Sequence, residues 1–83
     1  MRDYLEVNRD LRAMLRDAAG LPCRDVESIE CLVSAGEWEL ALDSLCTQMD
    51  TYGIAPSEAG LEKLLGLGEE LSVDVRGLLR LPR

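Results

Sequence analysis

Apolar residues recur at steps of three and four along nearly the whole chain, the spacing of one helical face rather than the strict alternation of a strand. Tyr4, Val7, Leu11, Met14, Leu15 and Ala18 form the inner face of a first helix that Gly20 and Pro22 end, with Arg2, Arg9, Arg12 and Arg16 opposite. Val26, Ile29, Leu32 and Val33 stripe a second helix, with Asp25 placed to cap its start and Gly36 to stop it. Glu27, Glu30 and Ser34 fall opposite that stripe. A third helix starts near Glu37 and runs to about Tyr52, before Gly53. Its seam is Trp38, Leu42, Leu45 and Met49, flanked by Ala41 and Cys46.

Ile54-Ala55-Pro56 reads as a connector, with Pro56 suited to the first turn of a fourth helix whose inner face is Leu61, Leu64, Leu65, Gly68 and Leu71. A last short helix follows Asp74 through Val75, Leu78 and Leu79, before Pro82. Connectors this short make neighbouring helices mostly antiparallel. The pattern therefore predicts an all-α fold: a compact bundle of four helices with a short fifth C-terminal helix, one domain over residues 1–83. Leu5, Leu40 and Leu67 fall off the seams, which suits either an apolar contact surface or a core touched from two sides.

Charge changes the picture more than composition does. Between Asp25 and Glu62 stand nine carboxylates (Asp25, Glu27, Glu30, Glu37, Glu39, Asp43, Asp50, Glu58, Glu62) and no Lys or Arg, within a chain of net charge −7. Such a surface repels nucleic acid and speeds encounter with a basic protein, although a net charge of this size also serves solubility alone. Glu39, Asp43 and Asp50 share one strip of the third helix, and Glu58, Glu62 and Glu69 repeat their spacing on the fourth. Two neighbouring helices are thus expected to present parallel acidic strips.

The chemistry of catalysis has little to draw on. There is no His, no Ser or Cys in a nucleophile motif, and no Cys-x-x-Cys pair to hold zinc, so no enzyme activity, metal or cofactor is expected. Cys23, Cys31 and Cys46 are odd in number and read as free thiols buried among apolar neighbours. Leu65-Gly66-Leu67-Gly68 follows no strand, and its glycines point to close helix packing or a loosened last turn rather than a phosphate loop. No apolar run approaches the roughly 18 to 20 residues a membrane span needs, and Met1-Arg2-Asp3-Tyr4 meets charge at once. The expected location is cytoplasmic.

One stretch carries a family resemblance. Gly36-Glu37-Trp38, then Leu40-Ala41-Leu42, then Leu45-Cys46 with Met49 three residues on, resembles the MafI family of small immunity proteins. The similarity continues more loosely through Tyr52, Ile54, Ser57, Leu61 and Leu71. It implies a protein that binds and neutralises the toxic C-terminal domain of a cognate secreted or contact-delivered bacterial toxin. Such toxins are often nucleases, whose phosphate-holding grooves are basic. The motif residues are mostly apolar and specify the bundle; the acids around them are the contact candidates. Those candidates are Glu39, Asp43 and Asp50, with Glu37 and Tyr52 at the ends of the same helix, and Glu27, Glu30, Glu58 and Glu62 beyond it. Ala35-Gly36-Glu37-Trp38 with Ala41-Leu42, Met49, Gly53-Ile54 and Pro56 is also similar to one unit of pentatricopeptide or tetratricopeptide-like repeat proteins. No second copy follows at that repeat length, so this alternative reduces to a protein-binding helical-hairpin adaptor.

Overall fold

Each apolar stripe becomes a helix, and each helix stops where a residue can turn the chain out of it. The computed structural model describes residues 4–81 as α1 (Tyr4–Asp17), α2 (Cys23–Ser34), α3 (Trp38–Thr51), α4 (Glu58–Leu71) and α5 (Val75–Leu78). The expectations for Arg2, Pro82 and the side chain of Tyr4 lie outside the described residues. No described helix is long and apolar enough to cross a membrane.

The ends of α2 and α3 share one construction. Gly36 and Gly53 take left-handed backbone, φ 76° and 66°, a region that a side chain would strain. The N–H groups of Glu37 and Ile54 then reach back to the carbonyls of Leu32 (2.9 Å) and Met49 (2.8 Å), satisfying carbonyls that the helix would leave unpaired. α4 starts at Ser57, whose Oγ accepts the Gly60 N–H at 3.1 Å, and α5 at Asp74, whose Oδ1 accepts the Gly77 N–H at 3.1 Å.

Two predicted boundaries need correction. Pro22, not Asp25, holds the N-cap position of α2, so Asp25 sits in the first turn. Pro56 lies ahead of the Ser57 cap rather than inside the first turn of α4.

The core is a single cluster: Val7, Leu11, Met14, Leu15 and Ala18 of the α1 end, Ile29 and Val33 of α2, Ala41, Leu42, Leu45, Cys46 and Met49 of α3, Leu64, Leu67 and Leu71 of α4, and Val75. No polar or charged side chain is buried among the described residues. α3 touches all four other helices. The seam of α4 is rotated from its predicted place: Leu67 is fully buried, whereas Leu61 and Leu65 are half-buried. α5 folds back over α3 and α4. Gly68 permits that approach, since a Cβ there would lie 2.7 Å from Val75 Cγ2 and 2.8 Å from the Val73 carbonyl oxygen. The Gly-x-Gly is thus a packing notch.

Candidate functional site

Of the nine carboxylates in the cation-free stretch, three are already engaged. Asp25 accepts the Gln48 side-chain amide at 2.8 Å and the Tyr52 hydroxyl, tying α2 to the end of α3. Holding the phenolic proton in this way raises the Tyr52 pKa, with partial burial and the Asp25 charge adding to the effect. Glu30 lies 3.6 Å from the Arg12 guanidinium, which also donates to Ser34 Oγ at 2.9 Å and joins α2 to α1. Asp50 pairs with Arg80 at 3.2 Å, so the chain's own C-terminal cation covers one end of the predicted α3 strip.

The remaining six, Glu27, Glu37, Glu39, Asp43, Glu58 and Glu62, are exposed. Tyr52 is 48% exposed, but its hydroxyl is committed to Asp25. At the Glu69 end, α5 stands between the two predicted acidic strips. α5 packs on both α3 and α4, with Glu39 and Asp43 lining the α3–α5 side and Glu69 the α4–α5 side. Sequence spacing gives the angle of each strip about its own helix and cannot show that a later segment fills the space between them.

Two grooves flank α3 and share Asp43. The groove against α2 holds about 210 Å³ and is lined by Asp25, Ser28, Ile29, Leu32, Asp43, Ser44, Thr47 and Gln48. The groove against α5 is larger, about 630 Å³, with Glu39, Leu40 and Asp43 on one wall and Ser72, Val73, Asp74, Gly77 and Leu78 on the other. Leu40 stands at its edge with 55% of its surface exposed, between two carboxylates one helical turn apart. Sequence patterning marked Leu40 as off the seam but left open whether it faced a second core surface; the exposure settles that. Ser72, Val73 and Asp74 were not among the site candidates, because their role depends on how α5 docks.

No family model, no curated protein and no solved structure matches this chain. No group of three or more His, Cys, Asp or Glu side chains suited to a metal ion occurs among the described residues.

The thiols differ from expectation and supply a check on the packing. Cys23 and Cys31 are exposed, and only Cys46 is buried. The helical stripes place Cys23 and Cys31 beside apolar neighbours in sequence but not on the core face. Burial pushes the Cys46 thiol up to about 12 from its ordinary 9.0, with the Asp43 charge adding to the shift. Two thiols should react with an aromatic disulfide reagent in the folded protein and the third only on unfolding; three equal rates would contradict this packing. Because the folded state favours the protonated Cys46, its contribution to stability is complete below pH 9 and is lost as pH rises from 9 toward 12.

Proposed function

We propose that this protein is a stoichiometric immunity protein. It binds the toxic domain of a cognate, secreted or contact-delivered bacterial toxin and blocks it by covering a basic surface. One observation carries the reading. Six exposed carboxylates, with no Lys or Arg between Asp25 and Glu62, are arranged around a bundle that also leaves Leu40 bare beside Glu39 and Asp43. An apolar anchor ringed by charge is the composition of a protein-binding patch, and the sign of the charge calls for a basic partner. The resemblance to MafI proteins across α2 and α3 supplies the biological setting, and nucleases are the toxin class whose substrate grooves carry the matching charge.

Internal pairing supports a division among the candidate acids. Asp25, Glu30 and Asp50 hold the protein's own elements together, and Tyr52 is held by Asp25. Glu39 and Asp43 beside Leu40 form the centre of the proposed interface. Glu27, Glu37, Glu58 and Glu62 lie outside it and act mainly on encounter rate, an effect screened beyond a Debye length of about 8 Å at physiological salt.

A gene for a large secreted protein beside this one is expected, and co-expression with the C-terminal domain of that protein is the direct test; the lack of such a neighbour would count against the reading. The expected result is rescue of growth and co-purification of a one-to-one complex, with an association rate that falls as salt rises. Failure of both rescue and co-purification removes the immunity role. An association rate unchanged between low and high salt removes the acidic-face mechanism.

A further inference from the structure

We infer that the groove between α3 and α5 is the seat for a single arginine side chain of the protein partner, presented between apolar neighbours. The inference deepens the proposed protein-binding role and rests on it. An arginine has an aliphatic stem and a planar cationic head, and the groove offers surfaces for both. Leu40, Val73 and Leu78 supply apolar wall along about 630 Å³ of open space, and Glu39 and Asp43 project from the α3 side.

Charge selects this occupant over an apolar peptide. Glu39 and Asp43 stand four residues apart on one helix, where like charges oppose each other. Among the described residues, ion pairs reach Glu30 and Asp50, and none reaches Glu39 or Asp43. Asp74, on the far wall, is engaged in capping α5 through the Gly77 N–H. A cation entering between these walls relieves the repulsion on α3.

The protein also carries an internal precedent. Arg80 extends from the end of α5 to Asp50, placing a guanidinium group 3.2 Å from the third carboxylate of the same α3 strip. The Arg80 side chain is 81% exposed even so. The strip therefore accepts a guanidinium at one end from within the chain, while its other two carboxylates face the groove with none. Arginine suits the groove better than lysine because its flat head can donate two parallel N–H bonds to one carboxylate while its stem lies along the apolar wall.

The test titrates the isotope-labelled full chain with acetyl-Leu-Arg-Leu-amide and follows backbone amide resonances. The expected result is saturable movement of Leu40, Asp43, Val73, Gly77 and Leu78. The analogue carrying citrulline, the neutral counterpart of arginine, should move them little. Asp43→Asn should weaken binding about fivefold, the effect of one exposed charge pair near 1 kcal/mol, and Glu58→Gln should leave it within about twofold. Asp43 is exposed and bonds only weakly to Thr47 Oγ1 at 3.4 Å, so the variant spectrum itself will confirm the fold. Equal response to citrulline, movement spread evenly over all the exposed carboxylates, or no saturable movement overturns the assignment. Co-purification with the toxin domain is measured separately: a held toxin with an unshifted groove removes the seat and spares the immunity role, and a filled groove with no toxin held does the reverse.

Discussion

Replacing Gly68 with alanine should destabilise the protein by about 1 to 3 kcal/mol, against the usual sign of a Gly-to-Ala change within a helix. In an open helical position the methyl group gains about 1 kcal/mol by restricting the unfolded chain. At Gly68 that methyl would meet Val75 Cγ2 at 2.7 Å and the Val73 carbonyl oxygen at 2.8 Å, and the latter is backbone that cannot swing aside. Val75 is itself 2% exposed, so α5 must lift from α4 to make room. Gly66, two residues earlier, is the internal control. A Cβ there meets nothing within 4 Å, so Gly66→Ala should be neutral or stabilising by up to about 1 kcal/mol. Urea unfolding followed by helical circular dichroism measures both variants. Equal shifts of the same sign at the two positions would show that α5 does not rest on Gly68.

Truncating Leu45 to alanine should cost more, about 2 to 5 kcal/mol, as the lost transfer energy is joined by the cavity left behind. Leu45 is completely buried and lies on α3, the helix that meets all the others, so few neighbours are free to collapse into the gap. A loss of that size is a large part of the roughly 5 to 15 kcal/mol that stabilises a domain. The denaturation midpoint should fall while the slope of the transition stays the same, because the cavity changes stability and not the surface exposed on unfolding. A cost below about 1 kcal/mol would mean that the core is looser around α3 than its burial shows.

The helices were readable because each stripe satisfies a local rule: apolar spacing fixes the inner face, and glycine at the αL position fixes the stop. Gly36 and Gly53 sit where those rules place them. What escaped was contact between segments distant in the chain. Asp25 looks like a cap from its neighbours, yet its carboxylate accepts from Gln48 twenty-three residues on. Leu67 looks peripheral from the α4 pattern alone, and it is fully buried in the assembled bundle. Asp50 looks available until Arg80 folds back to it. The candidate acids were thus found as a set, while their division into engaged and exposed members depends on tertiary contacts that periodicity does not encode.

The central place of α3 has a consequence for recognition. Because this helix touches every other one, its middle turns can open only when the whole molecule does, and its amide protons should be among the slowest to exchange. Asp43, and through it the Glu39–Leu40 turn that opens α3, thus project from a helix packed on every side of the bundle. A partner that docks there orders side chains and little else, and more of the contact energy appears as affinity. The same rigidity lets exposed residues on this ridge change with little effect on the buried face beneath. New pairings with altered partners can arise by surface substitution alone.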